Sequence, residues 1–162
     1  MPETESPPDV RIRKARVQDA TAIVKLVNSY ADRELLLPRS LGETYEAIRD
    51  FLVAENASGE IVGCCALQPF WEDLAEIRSL AVREDFAGRG LGRGFVQRGL
   101  EEAKELGIKR VFALTYIVGY FVRLGFRPID KSKLPHKIWA ICTKCSKFPD
   151  CGEEAVICEV PD

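Results

Sequence analysis

A chain of 162 residues that is 46% hydrophobic and 30% charged has the composition of a globular domain and the length for one real core. Its net charge of −2 argues against a polyanion such as nucleic acid as a partner. No apolar run reaches membrane-spanning length and no apolar signal core opens the chain, so a cytoplasmic location without a membrane partner is the expectation.

Residues 1–9 are polar and proline-rich and read as a disordered tail. Val10 to Ala15 alternates as a first strand. Asp19 caps a helix whose apolar stripe is Ile23, Leu26, Val27 and Tyr30. Leu35, Leu36 and Leu37 then lead through Pro38 to Arg39 and Ser40. Ser40 with Glu43 makes a capping box for a second helix carrying Ile48 and Leu52. Arg39 therefore stands at a helix entrance behind an apolar loop, where its planar fork suits a carboxylate. A solvated surface charge is the bland alternative.

Phe51 to Glu55 and Ile61 to Leu67 read as a hairpin about the Ser58-Gly59 turn. Gln68 to Asp73 reads as a connecting turn, and Leu74 to Val82 as the next strand. Gly88, Gly90, Gly92 and Gly94 then alternate with Arg89, Leu91 and Arg93, ahead of a helix from Leu91 to Leu106 that Gly107 closes. Glycines let backbone approach a ligand closely. The first helical turn offers unpaired N–H groups and a partial positive charge, to which the arginines add full charges. Strand, glycine-rich turn and helix together make a site for phosphate oxygens. No Gly-Lys-Ser/Thr follows, as a P-loop demands, and the glycine spacing is not that of a dinucleotide fingerprint. Val111 to Thr115 reads as a buried strand. A short helix carries Tyr120, Phe121 and Leu124 up to Gly125, and Phe126 to Ile129 starts the last strand.

Six cysteines fall in two groups. Cys64 and Cys65 are neighbours on a strand, point to opposite faces and read as small core hydrophobes. Cys142, Cys145, Cys151 and Cys158 lie in the C-terminal stretch. Four thiolates can hold a structural zinc, with His136 able to replace one, but the spacing is not that of a zinc ribbon. Plain thiols are the reading adopted, and no metal is assigned.

The stretch from Ile77 to Phe95 resembles the GNAT N-acetyltransferases. Their pyrophosphate loop runs Gln/Arg-x-x-Gly-x-Gly/Ala after a strand like Ser79 to Val82. Gly90 and Gly92 match the glycines, while Ala87 stands at the Gln/Arg position. Phe121 to Phe126 resembles the family's Tyr-x-x-x-Gly-Phe, with Phe121 in place of the tyrosine. The resemblance implies an α/β GNAT fold: a mixed, mostly antiparallel sheet with helices on both faces, in a single domain over 10–148. Residues 149–162 are then a cysteine-containing extension.

Four segments narrow the likeness to the stand-alone form of N-acetylglutamate synthases: Leu35 to Ser40, Val62 to Phe70, Ala75 to Val82, and Val111 to Phe126. This implies transfer of the acetyl group of acetyl-CoA to the α-amine of L-glutamate, a first step of arginine biosynthesis, by direct amine attack on the thioester. It implies Glu76 as base, and Thr115 or Tyr120 as acid, with Tyr116 a further candidate. Leu80, Ala81 and Val82 would meet the acetyl and pantetheine groups through their backbone. Ala87, Gly88, Arg89, Gly90, Leu91, Gly92 and Arg93 would hold the pyrophosphate, with Phe121 beside them. Leu37, Arg39, Lys144 and Ser146 would bind glutamate. Another small amine or amino acid as acceptor, an acetyl-CoA sensor without turnover, and a zinc-dependent interaction module are the rival readings. A homodimer stands open beside a monomer.

Overall fold

The computed structural model describes residues 9–134 and 154–162. The first strand, β1 (Val10–Lys14), runs into a short 3-10 turn and α1 (Ala20–Ala31). Asp19 precedes α1, yet its carboxylate does not cap that helix. It accepts from the Arg13 guanidinium at 2.8 and 3.0 Å and from the Arg16 amide at 2.7 Å, because a partly buried arginine is the stronger competitor for it.

α2 (Leu41–Glu46) is capped as expected, with Ser40 Oγ accepting from the Glu43 amide at 3.1 Å. It is shorter than the sequence suggests. Ile48 lies in a 3-10 turn, and Leu52 belongs to β2 (Phe51–Asn56). Phe51, Leu52, Val53 and Ala54 are all buried, and a run apolar on both faces fits an inner strand better than a helix tail.

β3 (Ile61–Trp71) also runs on through Gln68, Pro69, Phe70 and Trp71, which the sequence marks as a turn. The register slips between Pro69 and Trp71, so the irregularity absorbs the proline. Phe70 is buried edge-on against Phe112, at 5.7 Å between ring centres. β4 (Leu74–Val82) has the bounds the sequence gives it. α3 (Leu91–Glu105), β5 (Arg110–Thr115), α4 (Val118–Arg123) and β6 (Arg127–Ile129) follow.

β6 is not the last strand. Glu154 to Glu159 forms β7, which inserts between β5 and β6 and is antiparallel to both. Part of the expected extension is thus inside the sheet. Ala155, Val156, Ile157 and Cys158 are buried there, and Cys158 packs in the core opposite Val111. Its burial pushes the thiol up to about 11. Among the described residues no cluster of metal-ligating side chains occurs. Cys142, Cys145, Cys151 and His136 lie outside the described residues, as do 1–8 of the expected tail.

The sheet order is β1-β2-β3-β4-β5-β7-β6, and only β4 with β5 is parallel. Helices cover both faces. α1 lays Ile23 and Val27 on Phe51, Val53, Cys64 and Ala66. α3 lays Phe95, Val96 and Ala103 on Leu52, Ala54, Cys65 and Ile77. Cys64 and Cys65 do point to opposite faces. α3 lies close on the sheet because a Cβ on Gly63 would come within 2.9 Å of the Phe95 ring. No described helix is long and apolar enough to cross a membrane.

Candidate active site

The site begins where two strands part. β4 pairs with β3 along its length but meets β5 only at Leu74, Ala75 and Glu76, opposite Arg110, Val111 and Phe112. Beyond Glu76 the β5 side of β4 has no strand, and its peptide groups are available to a ligand. β4 also carries an extra residue: Cys64 opposes Ala81 and Ala66 opposes Arg78, so Ser79 and Leu80 together face Cys65. Within this bulge Ser79 takes a positive φ of 53°. The Cys64 thiol donates to the Ser79 carbonyl at 3.3 Å and Arg39 Nη1 donates to Ser79 Oγ at 3.2 Å. Burial pushes the Cys64 thiol up to about 12, so it stays a neutral donor.

The gap opens into a cleft of about 640 Å³. Its lining takes in Leu80, Ala81 and Val82 of β4, then Ala87, Gly88, Gly90, Leu91, Gly92 and Arg93. Gly90 precedes α3 at φ 83° and Gly88 has φ 76°, a region that penalises any side chain. The first turn of a fifteen-residue helix therefore faces the cleft, with its N–H groups and dipole. Arg89 does not line the cleft. Its guanidinium lies 4.7 Å over the Phe86 ring, with Arg83 5.2 Å from that ring. Arg83 in turn holds Asp85 through bonds of 2.7 and 2.9 Å. This stack braces the loop where Ala87 offers only a methyl group.

Gly92 is closely covered. A Cβ there would sit 1.6 Å from the Tyr120 hydroxyl oxygen, so that hydroxyl lies against the first turn of α3. Burial raises the Tyr120 proton affinity, which keeps the hydroxyl protonated. Phe121 also lines the cleft, edge-on to Tyr120 and Phe126 at 5.6 and 5.3 Å. Thr115 lines it too. Its Oγ1 accepts from the Ile117 amide at 2.9 Å and keeps its own proton to donate. Tyr116 is not part of the lining.

At the other end stand Leu37, Arg39, Glu76 and Arg78. Asn28 of α1 fixes the Arg39 backbone, accepting from its N–H at 2.9 Å and donating to its C=O at 3.1 Å. The guanidinium lies 5.0 Å over the Phe51 ring. Its Nε is buried without a hydrogen-bond partner among the described residues. Burial, and then the charge of Arg78, lower its proton affinity, though an arginine stays cationic at any ordinary pH. Glu76 is 7% exposed and lies 3.6 Å from Arg78 Nε. Arg78 Nη1 donates to Gln68 Oε1 at 2.8 Å. Lys144 and Ser146 lie outside the described residues.

Sequence reasoning missed Arg78, Ser79 and Asn28. Arg78 was within reach: two residues after Glu76 on a strand, it shares that residue's face. Asn28 carries no such signal, standing beside the apolar stripe of its helix and not in it.

The acetyltransferase (GNAT) family profile matches residues 21–126. The chain belongs to the GNAT acetyltransferase family. It is an acyltransferase by membership. Among its relatives, an uncharacterized N-acetyltransferase of Chlorobaculum tepidum is 42% identical over 92% of this chain and 96% of the relative. An amino-acid acetyltransferase of Mycobacterium tuberculosis is 41% identical over 84% of this chain and 80% of its own length. Among solved structures, the N-acetylglutamate synthase of Neisseria gonorrhoeae complexed with coenzyme A and N-acetyl-glutamate superposes with a TM-score of 0.87 at 25% identity. That match covers 96% of this GNAT chain but 36% of the synthase.

Proposed function

We propose that this GNAT chain moves the acetyl group of acetyl-CoA to the α-amine of L-glutamate, and so serves arginine biosynthesis. The observation that carries the reading is Arg39: a partly buried guanidinium whose Nε has no hydrogen-bond partner among the described residues, in the same cleft as Glu76 and the glycine loop. A guanidinium on the wall of a cleft, with no carboxylate of the described residues paired to it, suits an acceptor from a ligand, and a carboxylate fits an arginine fork best. The names of the amino-acid acetyltransferase and the N-acetylglutamate synthase above support the same acceptor class.

Glutamate arrives as an ammonium and cannot attack until it loses a proton, which Glu76 takes. The freed amine forms the new C–N bond as the C–S bond breaks. Negative charge grows on the acetyl oxygen, and backbone N–H groups of β4 around Leu80 and Val82 meet it. The departing sulfur takes a proton from Thr115, and the proton that the acylated nitrogen must shed restores the threonine hydroxyl. The first turn of α3, with Arg93, holds the pyrophosphate, and Leu37 closes the acceptor side. Tyr120, pressed against Gly92, serves the loop instead of the sulfur. Lys144 and Ser146 remain candidates for a glutamate carboxylate.

Thiol release from acetyl-CoA against a panel of amino acids tests the reading. L-Glutamate should give saturable release. Glu76→Gln should lower kcat by about 10²- to 10⁴-fold without weakening coenzyme A binding. Arg39→Ala should raise KM for glutamate by about tenfold or more. Release with another amine that ignores Arg39→Ala removes glutamate from the reading. Tight coenzyme A binding with no release for any acceptor replaces the enzyme with a sensor.

A further inference from the structure

Glu76 and Arg78 form an ion pair whose role the transfer reaction does not require. They stand two residues apart on β4, ahead of the bulge, and both line the cleft. Their closest approach, Arg78 Nε to Glu76 Oε1, is 3.6 Å, an ion-pair contact longer than a hydrogen bond. Gln68, the cross-strand partner of Glu76, clamps the guanidinium through Nη1 at 2.8 Å. That is the one side-chain hydrogen bond of Arg78 among the described residues, and a guanidinium has five donors. The fork is therefore fixed in direction and largely unspent. One residue on, Ser79 meets Arg39 at 3.2 Å, so a second guanidinium faces the same space. No carboxylate of the described residues stands within ion-pair distance of Arg39.

An α-amino acid carries its ammonium and its carboxylate about 3 Å apart, because they share one carbon. A fixed carboxylate beside a fixed guanidinium presents the complementary charges at a matching spacing. We propose that Arg78 binds the α-carboxylate of the acceptor, so that Glu76 and Arg78 read the ammonium and carboxylate of an α-amino acid as one unit. This rests on the acetyltransfer reading above and adds the residue that sets its specificity. The pair selects α-amino acids over simple amines, and Arg39 takes the carboxylate further along the side chain.

Three acceptors separate the parts. L-Glutamate has both carboxylates, L-glutamine keeps the α-carboxylate, and 4-aminobutyrate keeps the other. Kinetic constants are measured for wild type, Arg78→Gln, Arg78→Lys and Arg39→Ala, with coenzyme A affinity as the folding control. Where an acceptor turns over slowly, its inhibition constant against L-glutamate serves instead. Arg78→Gln should cost glutamate and glutamine about 10- to 100-fold in kcat/KM, mostly through KM, and leave 4-aminobutyrate nearly unchanged. Arg78→Lys should keep part of the preference. Arg39→Ala should spare glutamine. Equal losses for all three acceptors in Arg78→Gln, with the acid limb of the pH profile displaced, would make Arg78 a support for Glu76 and overturn the proposal. An unchanged preference overturns it as well. If another α-amino acid replaces glutamate as the acceptor and shows the Arg78 effect against its decarboxylated amine, the glutamate reading falls and this inference stands.

Discussion

Asp19 shows how a single carboxylate can be bound too well to do the job its position suggests. Burial works to raise its pKa, but the two bonds from Arg13 and the one from the Arg16 amide outweigh that and hold it below the usual carboxylate range. A group depressed on folding adds stability above its unfolded pKa and loses it as pH falls through the folded value. Asp19→Asn should therefore cost about 2–3 kcal/mol near pH 7, where it leaves Arg13 half-paired. The gap to wild type should close as pH drops below about 4, which urea unfolding at stepped pH will read. The sequence marked Asp19 as a cap because Asp before an apolar stripe usually is one. The arginine that captures it comes from a strand six positions earlier and across the edge of the sheet, beyond any local pattern. Arg39 and Glu76 were legible for the opposite reason: each sits inside a contiguous motif.

At the scale of elements, the glycine loop and its helix followed from local rules. Gly90 and Gly107 both take positive φ, as the turn and the helix end need. Gly92 owes its identity to tertiary contact with Tyr120, which no spacing reveals. Gly92→Ala should weaken coenzyme A binding by about tenfold or more in a calorimetric titration, since the ring and the first turn of α3 cannot both keep their places. Gly92→Ala combined with Tyr120→Phe should recover most of that affinity. Removing the hydroxyl moves the nearest obstacle from 1.6 Å to the ring carbon at 3.0 Å. α2 and β3 were misjudged at their ends by the same error. Ser40 and Pro69 are strong local signals, and in both places the burial of an aromatic neighbour, Phe51 or Phe70, decides where the element stops.

Over the whole molecule, the sheet was legible except for its seventh strand. Ala155 to Cys158 is a four-residue apolar run between Glu154 and Glu159, a pattern that fits a buried strand. Grouping Cys158 with the C-terminal thiols hid it. Val156 is fully buried between Ala113 of β5 and Pro128 of β6. Val156→Ala should lower stability by about 2–3 kcal/mol and shift a single cooperative transition, with circular dichroism and coenzyme A binding lost together. A segment merely appended to the domain would give no such shift.

The place of that strand also sets an order of events. Among the described residues β6 pairs with no strand except β7, and β5 has β7 as its partner from Arg110 to Thr115. A ribosome delivers both long before it delivers residue 154. Until then, six residues of β5 offer bare N–H and C=O groups beside Val111, Phe112 and Ala113, an adhesive edge for another nascent chain. Synthesis at about 5–20 residues per second keeps that edge open for seconds, far longer than collapse takes. The newborn chain is therefore most vulnerable at the very strand that walls its future cleft.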